Sequence, residues 1–318
     1  MKGIITEILN TPKQIGNLVD LLILRYTPPE LYSPTIYIDL EGVDLCREGS
    51  LSILTLLIDT DFPTRRVYLI DIHTLGAQAF NTVGAKRTTL KDVLQDFKIP
   101  KVFFDVRNDS DAMFAHFGVS LQGVEDVQLM ESATRKTTAS REFLTGLAKC
   151  IEINLPITPV SKLAQWKLAK QKGERLFKAE HGGSYEVFNQ RPIPEDIISY
   201  CVSDVQYLPE LRNKFWQQTE RWRVLIGEET KKRVAMSQRS DYQPHGSDRA
   251  IAPWSKEQHM VLDQWYYAPP PHEDSDGLDD FEDFFDEDDD WSDDWFDDGP
   301  TSCRDIISSC DHDYYYSD

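Results

Sequence analysis

Ile36-Tyr37-Ile38-Asp39-Leu40-Glu41-Gly42 decides how this chain folds. Its β-branched and aromatic residues favour a strand, and so many apolar side chains suit one buried within a sheet. Residues two apart on a strand point the same way, so Asp39 and Glu41 share one side of the sheet. Two carboxylates held together resist ionising unless a cation lies between them, and oxygen donors suit a hard divalent ion. The stretch therefore implies both a sheet and a candidate metal site.

Working outward, strands are expected at 35–40, 51–59 and 66–71, linked as hairpins with the acidic pair on the first. The second is a run of Leu, Ile and Thr that suits a sheet centre. Upstream, Thr11-Pro12 has the form of a helix start leading into 14–24, and Pro28, Pro29 and Pro34 then break the chain. Downstream, 76–87 reads as a loop, 90–97 as a helix, and Lys101-Val-Phe-Phe as a short buried strand. It leads into a helix near 109–117 that Gly118 closes. One further strand end and helix follow at 123–131, and the chain to about residue 239 reads mainly helical. The expected architecture is α/β, a mixed sheet flanked by helices.

A stretch rich in Ser, Gly, Pro, His and Asp at 240–253 marks the expected end of stable structure. The implied division is an N-terminal helix and lead-in at 1–34, a main domain at 35–239, a linker at 240–270 and an acidic, aromatic-rich tail at 271–318. Of 54 acidic residues 20 lie from Pro271 onward, against one of 34 basic residues, Arg304. Residues 1–270 are thus close to neutral, and the tail supplies nearly all of the net charge of -20. Such a tail buries too little to offset chain entropy and is expected to be disordered. An acidic pI therefore does not exclude a nucleic-acid partner for the main domain.

Five cysteines without framework spacing fit a reduced compartment, cytoplasm or nucleus. The amino terminus lacks an uninterrupted apolar stretch of signal length. No segment approaches the roughly 20 apolar residues of a membrane span, so no membrane association is expected.

Two further segments carry chemistry. Asp109 follows the Lys101-Val-Phe-Phe strand, and Tyr200-Cys-Val-Ser-Asp204 places a phenol and a carboxylate one turn apart on a helix. Acids from three segments suit two divalent ions about 3.5–4 Å apart at a phosphodiester. No His/Cys set here suggests zinc; Mg2+ or Mn2+ is expected. Asp39 would bridge, Glu41 and Asp204 would hold the nucleophile-side ion, and Asp109 the leaving-group ion. Tyr200, protonated at neutral pH, would orient the attacking water.

Asp39-x-Glu41, Asp109, Asp126-Val-Gln-Leu and Tyr200-x-x-x-Asp204-Val-x-Tyr-Leu together resemble the three motifs of the DEDDy 3'-5' exonucleases, the group that includes ribonuclease D and the Werner-type exonuclease. The resemblance covers about residues 30–225. It implies a ribonuclease H-like fold and removal of nucleotides from the 3' end of RNA or single-stranded DNA. Many members carry His where this chain has Phe104. Asp105 and Asp111 offer alternative registers for the second motif, and Asp109 also suits a helix N-cap. Some relatives have lost metal ligands and act as RNA-binding adaptors; this chain keeps all four acids.

Lys162, Lys167, Lys170, Lys172, Arg175 and Lys178, with Trp166 interleaved, suit either a track for the substrate backbone or a solvated helix face. Lys167, Lys170, Lys172 and Arg107 are the candidate nucleic-acid contacts. The tail, mixing acids with aromatics, would occupy that basic groove or bind a protein partner.

Overall fold

The computed structural model describes residues 3–26, 36–59, 64–157, 159–216 and 219–264. Six strands form one mixed sheet: β1 (Gly3–Leu9), β2 (Ile36–Glu41), β3 (Ile53–Ile58), β4 (Thr64–Asp71), β5 (Lys101–Phe103) and β6 (Val124–Asp126), in the order β1-β4-β3-β2-β5-β6. The hairpin-linked trio β2, β3 and β4 is antiparallel as expected, with Asp39 opposite Thr55 and Glu41 opposite Ile53. β5 runs parallel to β2, β6 runs parallel to β5, and β1 closes the other edge parallel to β4.

Twelve helices of the described residues surround the sheet: α1 (Pro12–Tyr26), α2 (Ile72–Leu75), α3 (Gln78–Asn81), α4 (Leu90–Gln95), α5 (Arg107–Phe117), α6 (Val127–Ala133), α7 (Leu147–Asn154), α8 (Val160–Phe177), α9 (Glu195–Val205), α10 (Leu208–Phe215), α11 (Glu220–Ser237) and α12 (Lys256–Gln264). None is long and apolar enough to cross a membrane.

Period-two alternation sorts β2 between two cores. Ile36, Ile38 and Leu40 join Ile15, Leu18, Val19 and Leu22 of α1 and Val93 and Leu94 of α4 on one face. Tyr37 joins α6, α8, α9 and α10 residues on the other, and Asp39 and Glu41, two and four residues on, share its side. The spacing 15, 18, 19, 22 is the buried stripe of an amphipathic helix. Each such fully buried side chain contributes roughly 1.5–3 kcal/mol of transfer free energy.

Three expectations change: 76–87 is not all loop, since it contains the short helix α3 at Gln78–Asn81. Gly3–Leu9 is a strand, because it pairs in parallel with β4 along its whole length at the edge of the sheet. Residues 240–253 do not end the structure. Trp254 is buried and donates to Ser132 Oγ at 2.9 Å, Leu144 N donates to Ala250 O at 2.8 Å, and Arg141 pairs with Asp263 of α12. The composition break was polar turn chemistry, after which three anchors return the chain to the body. The tail at 271–318 lies outside the described residues.

Candidate active site

β2 delivers two acids and α9 a third. Ligand atoms of Asp39, Glu41 and Asp204 all lie within 4.8 Å of one another, with Glu41 and Asp204 buried. α9 can approach β2 because its apolar residues Ile197, Cys201 and Val205 sink into the second core, which turns Tyr200 and Asp204, four apart, toward the strand. Tyr200 is 3% exposed and packs edge-on against Phe177, ring centroids 5.1 Å apart.

α8 lies directly behind Tyr200. A Cβ at Gly173 would fall 2.4 Å from Tyr200 Cβ, so only glycine permits this approach. Trp166 of the same helix donates its indole N–H to Ser203 O at 3.1 Å, fixing α8 on α9. The result carries Lys170 into the acid cluster. Its Nζ lies 2.5 Å from Asp204 Oδ1 and 3.7 Å from the Tyr200 ring centroid.

Burial dominates the electrostatics. It raises the Glu41 carboxyl well above its ordinary value, with Asp39 and Asp204 adding to the rise, Lys170 opposing it and Asp109 adding further. Asp204 is raised as well, by burial, with Lys170 offsetting part of the effect. Tyr200 is raised well above its ordinary value by burial and then by Asp204, Glu41 and Asp39, so its phenol stays protonated. Burial acts to lower Lys170, and Asp204, Glu41 and Asp39 more than restore its charge.

Asp109 is on the first turn of α5, 8% exposed, and outside the 4.8 Å trio. It is close enough to Glu41 to raise that carboxyl. The alternative registers are otherwise engaged. Asp105 pairs with Arg107 and Arg233, and Asp111 accepts from Arg47 N at 2.8 Å and Nε at 2.7 Å. Asp109 does not cap α5; the N-cap is Val106 and lacks a side-chain cap bond. Asp126, by contrast, caps α6 through Gln128 N at 3.0 Å.

The basic residues divide. Lys170 faces the acids. Lys167 pairs with Glu152 at 3.0 Å, both half-exposed, and Lys172 stands 3.9 Å from Asp196. Arg107 grips Asp105 and donates to Arg249 O at 3.1 Å. Sequence spacing gave Lys170 the same standing as its neighbours; the overlooked signal was Gly173, one turn on, marking the face that meets another helix. Residues of the returning segment also border the site: Tyr242 and Arg249 both donate to Asn108, beside Asp109.

The donor set fits a divalent ion. Asp204 Oδ2 is buried without a hydrogen-bond partner while Oδ1 takes Lys170, which leaves an acceptor aimed into an all-oxygen cluster.

The 3'-5' exonuclease family profile matches residues 29–220. Among curated proteins, the piRNA biogenesis protein EXD1 of Mus musculus is 26% identical over 172 residues, 54% of this chain and 27% of its own length. The Xenopus laevis protein of that name is 30% identical over 182 residues, 54% of this chain and 35% of its own length. This chain thus spans about a third or less of those relatives. Trypanosoma brucei RNase D in complex with RNA U12 superposes with a TM-score of 0.62 at 19% identity, covering 82% of this chain and 79% of that one. The same enzyme with GMP gives 0.60 at 21% identity, over 82% and 71%.

Proposed function

This chain belongs to the 3'-5' exonuclease domain family, and from that premise we propose that it is an active DEDDy-type enzyme. It would hydrolyse phosphodiester bonds at the 3' end of RNA or single-stranded DNA. The observation that carries the proposal is the convergence of Asp39, Glu41 and Asp204 with a buried, unpartnered Asp204 oxygen. Mg2+ or Mn2+ held by Asp39, Glu41, Asp204 and Asp109 would acidify the attacking water and stabilise charge on the leaving oxygen.

The chain's own residues do the rest. Asp39 on β2 would be the ligand shared by the ions, Glu41 and Asp204 would serve the nucleophile side and Asp109 the leaving-group side. Tyr200, kept protonated by burial, donates its O–H to orient water rather than removing a proton. Phe177 and Lys170 pack against its ring and hold that orientation. RNA is the polymer to test first, because Trypanosoma brucei RNase D, which shares this fold, forms a complex with RNA. Lys167, Lys172 and Arg107 would reach phosphates by exchanging their present carboxylate or carbonyl partners.

A second reading is a noncatalytic RNA-binding module in which Lys170 neutralises Asp204 permanently, favoured by that 2.5 Å pair. Digestion of 5'-labelled single-stranded RNA and DNA with Mg2+ or Mn2+ separates the two. A ladder shortening from the 3' end, absent in Asp39→Asn and Asp204→Asn, is expected. Binding without cleavage by the folded wild type would select the module.

A further inference from the structure

A second cluster of metal-ligand type lies outside the acidic trio. Asp44, Cys46 and His245 each present one donor atom within 4.8 Å of the other two. Asp44 and Cys46 sit in the loop joining β2 to β3, and His245 comes from the returning segment some 200 residues later. His245 Nε2 stands 3.1 Å from Asp44 Oδ1, the separation of adjacent ligands around one small tetrahedral ion.

A tight turn holds the sulfur in place. The turn after Cys46 is tight: Gly49 N donates to Cys46 O at 3.3 Å and Ser50 N to Val43 O at 2.8 Å. That turn demands Gly49, because a Cβ there would fall 1.9 Å from Asp44 O. The two halves are also already docked: Arg47 donates to Ser237 O at 2.8 Å and lies over the Tyr242 ring at 5.6 Å. Cys46 is buried, whereas the Asp44 and His245 side chains are each 57% exposed, so an ion enters from solvent past them.

We propose that Asp44, Cys46 and His245 form a second metal site, chemically distinct from the all-oxygen cluster, that takes a borderline-soft divalent ion of the Zn2+ class. A thiolate, an imidazole and a carboxylate select such an ion over Mg2+, and three protein ligands leave a fourth position for water. The ion ties the segment around His245 to the loop that follows Glu41. Because that segment also holds Asn108 through Tyr242 and Arg249, the clip steadies the turn that carries Asp109.

Titrating chelator-stripped, full-length protein with Co2+ tests this in the near ultraviolet, where a thiolate-to-cobalt charge-transfer band reports sulfur ligation. The band should saturate at one equivalent, disappear in Cys46→Ser, persist in Asp204→Asn, and be bleached by Zn2+. In His245→Ala the apparent Kd should rise by about tenfold or more, and this exposed position keeps the test valid if Cys46→Ser fails to fold. No band in the wild type, a band surviving Cys46→Ser, or an unchanged Kd in His245→Ala would overturn the proposal.

Discussion

The acid cluster and its resident lysine set the chemistry at the residue scale. Asp39 and Glu41 were legible because the strand period admits one arrangement of a carboxylate pair, and Asp204 with Tyr200 because four residues make one helical turn. Lys170 was legible as a positive charge and nothing more, since the basic residues of α8 recur without a clean helical stripe. Its ammonium bonds Asp204, where a divalent ion would also bind, so the two cations would compete for one carboxylate. Lys170→Met should destabilise the metal-free protein by about 3 kcal/mol, because removing one partner strands a buried charge. In the same variant Mn2+ should raise the Tm by more than it does in the wild type, because the repulsion it relieves is larger. Thermal melts with and without Mn2+ decide this; equal metal-induced shifts in the two proteins would show that lysine and metal do not compete.

Elements explain what side-chain patterns could not. The long helix α8 is placed by Gly173, whose missing side chain lets Tyr200 rest against the helix backbone. Gly173→Ala should cost roughly 1–3 kcal/mol through overpacking and should push Tyr200 off its position. Activity would then fall with the Tm, whereas Gly227→Ala, with nothing near its Cβ on α11, should leave both unchanged or gain a little from helix propensity. Comparing melts and nuclease rates of the two variants checks the claim, and a harmless Gly173→Ala would refute the close approach.

α4 and β5 offer a second test. Lys101 is fully buried at the start of β5 and donates to the α4 carbonyl of Val93 at 3.3 Å and to the Asp96 carbonyl at 2.7 Å. It thereby satisfies acceptors that the end of the helix leaves open. Burial pulls its pKa down to about 8 from 10.5. Between those values the unfolded chain binds more protons than the folded one, so this group adds stability as pH rises from 8 toward 10.5 and loses it as pH falls back through 8. Against Lys101→Met as reference, wild-type stability in denaturant melts should improve across that window; a flat difference would mean that Lys101 titrates normally.

On the scale of the whole molecule, the sheet has a core on each face, and the site opens where one face's acids meet α9. The three antiparallel strands could be anticipated because each carries a strong local pattern. β1 could not, because its seven residues gain their place only by pairing with β4, sixty residues away. Residues 240–264 were the harder case. Their polar, Gly- and Pro-containing start resembles a linker, and the few residues that anchor them are spaced too far apart to form a pattern.

Trp254 decides whether that anchorage matters. It is 7% exposed within the second core, and its indole N–H bonds Ser132 of α6 at 2.9 Å. Trp254→Ala removes a large buried ring and leaves the Ser132 hydroxyl without that donor, so it should cost about 3–5 kcal/mol. Trp254→Phe retains most of the apolar contact and forfeits chiefly the hydrogen bond, for about 1 kcal/mol. If residues 240–264 merely trailed from the domain, both variants would melt with the wild type. A graded loss, alanine well below phenylalanine and phenylalanine below wild type, makes the segment part of the fold that holds Asn108 and the turn of Asp109 in place.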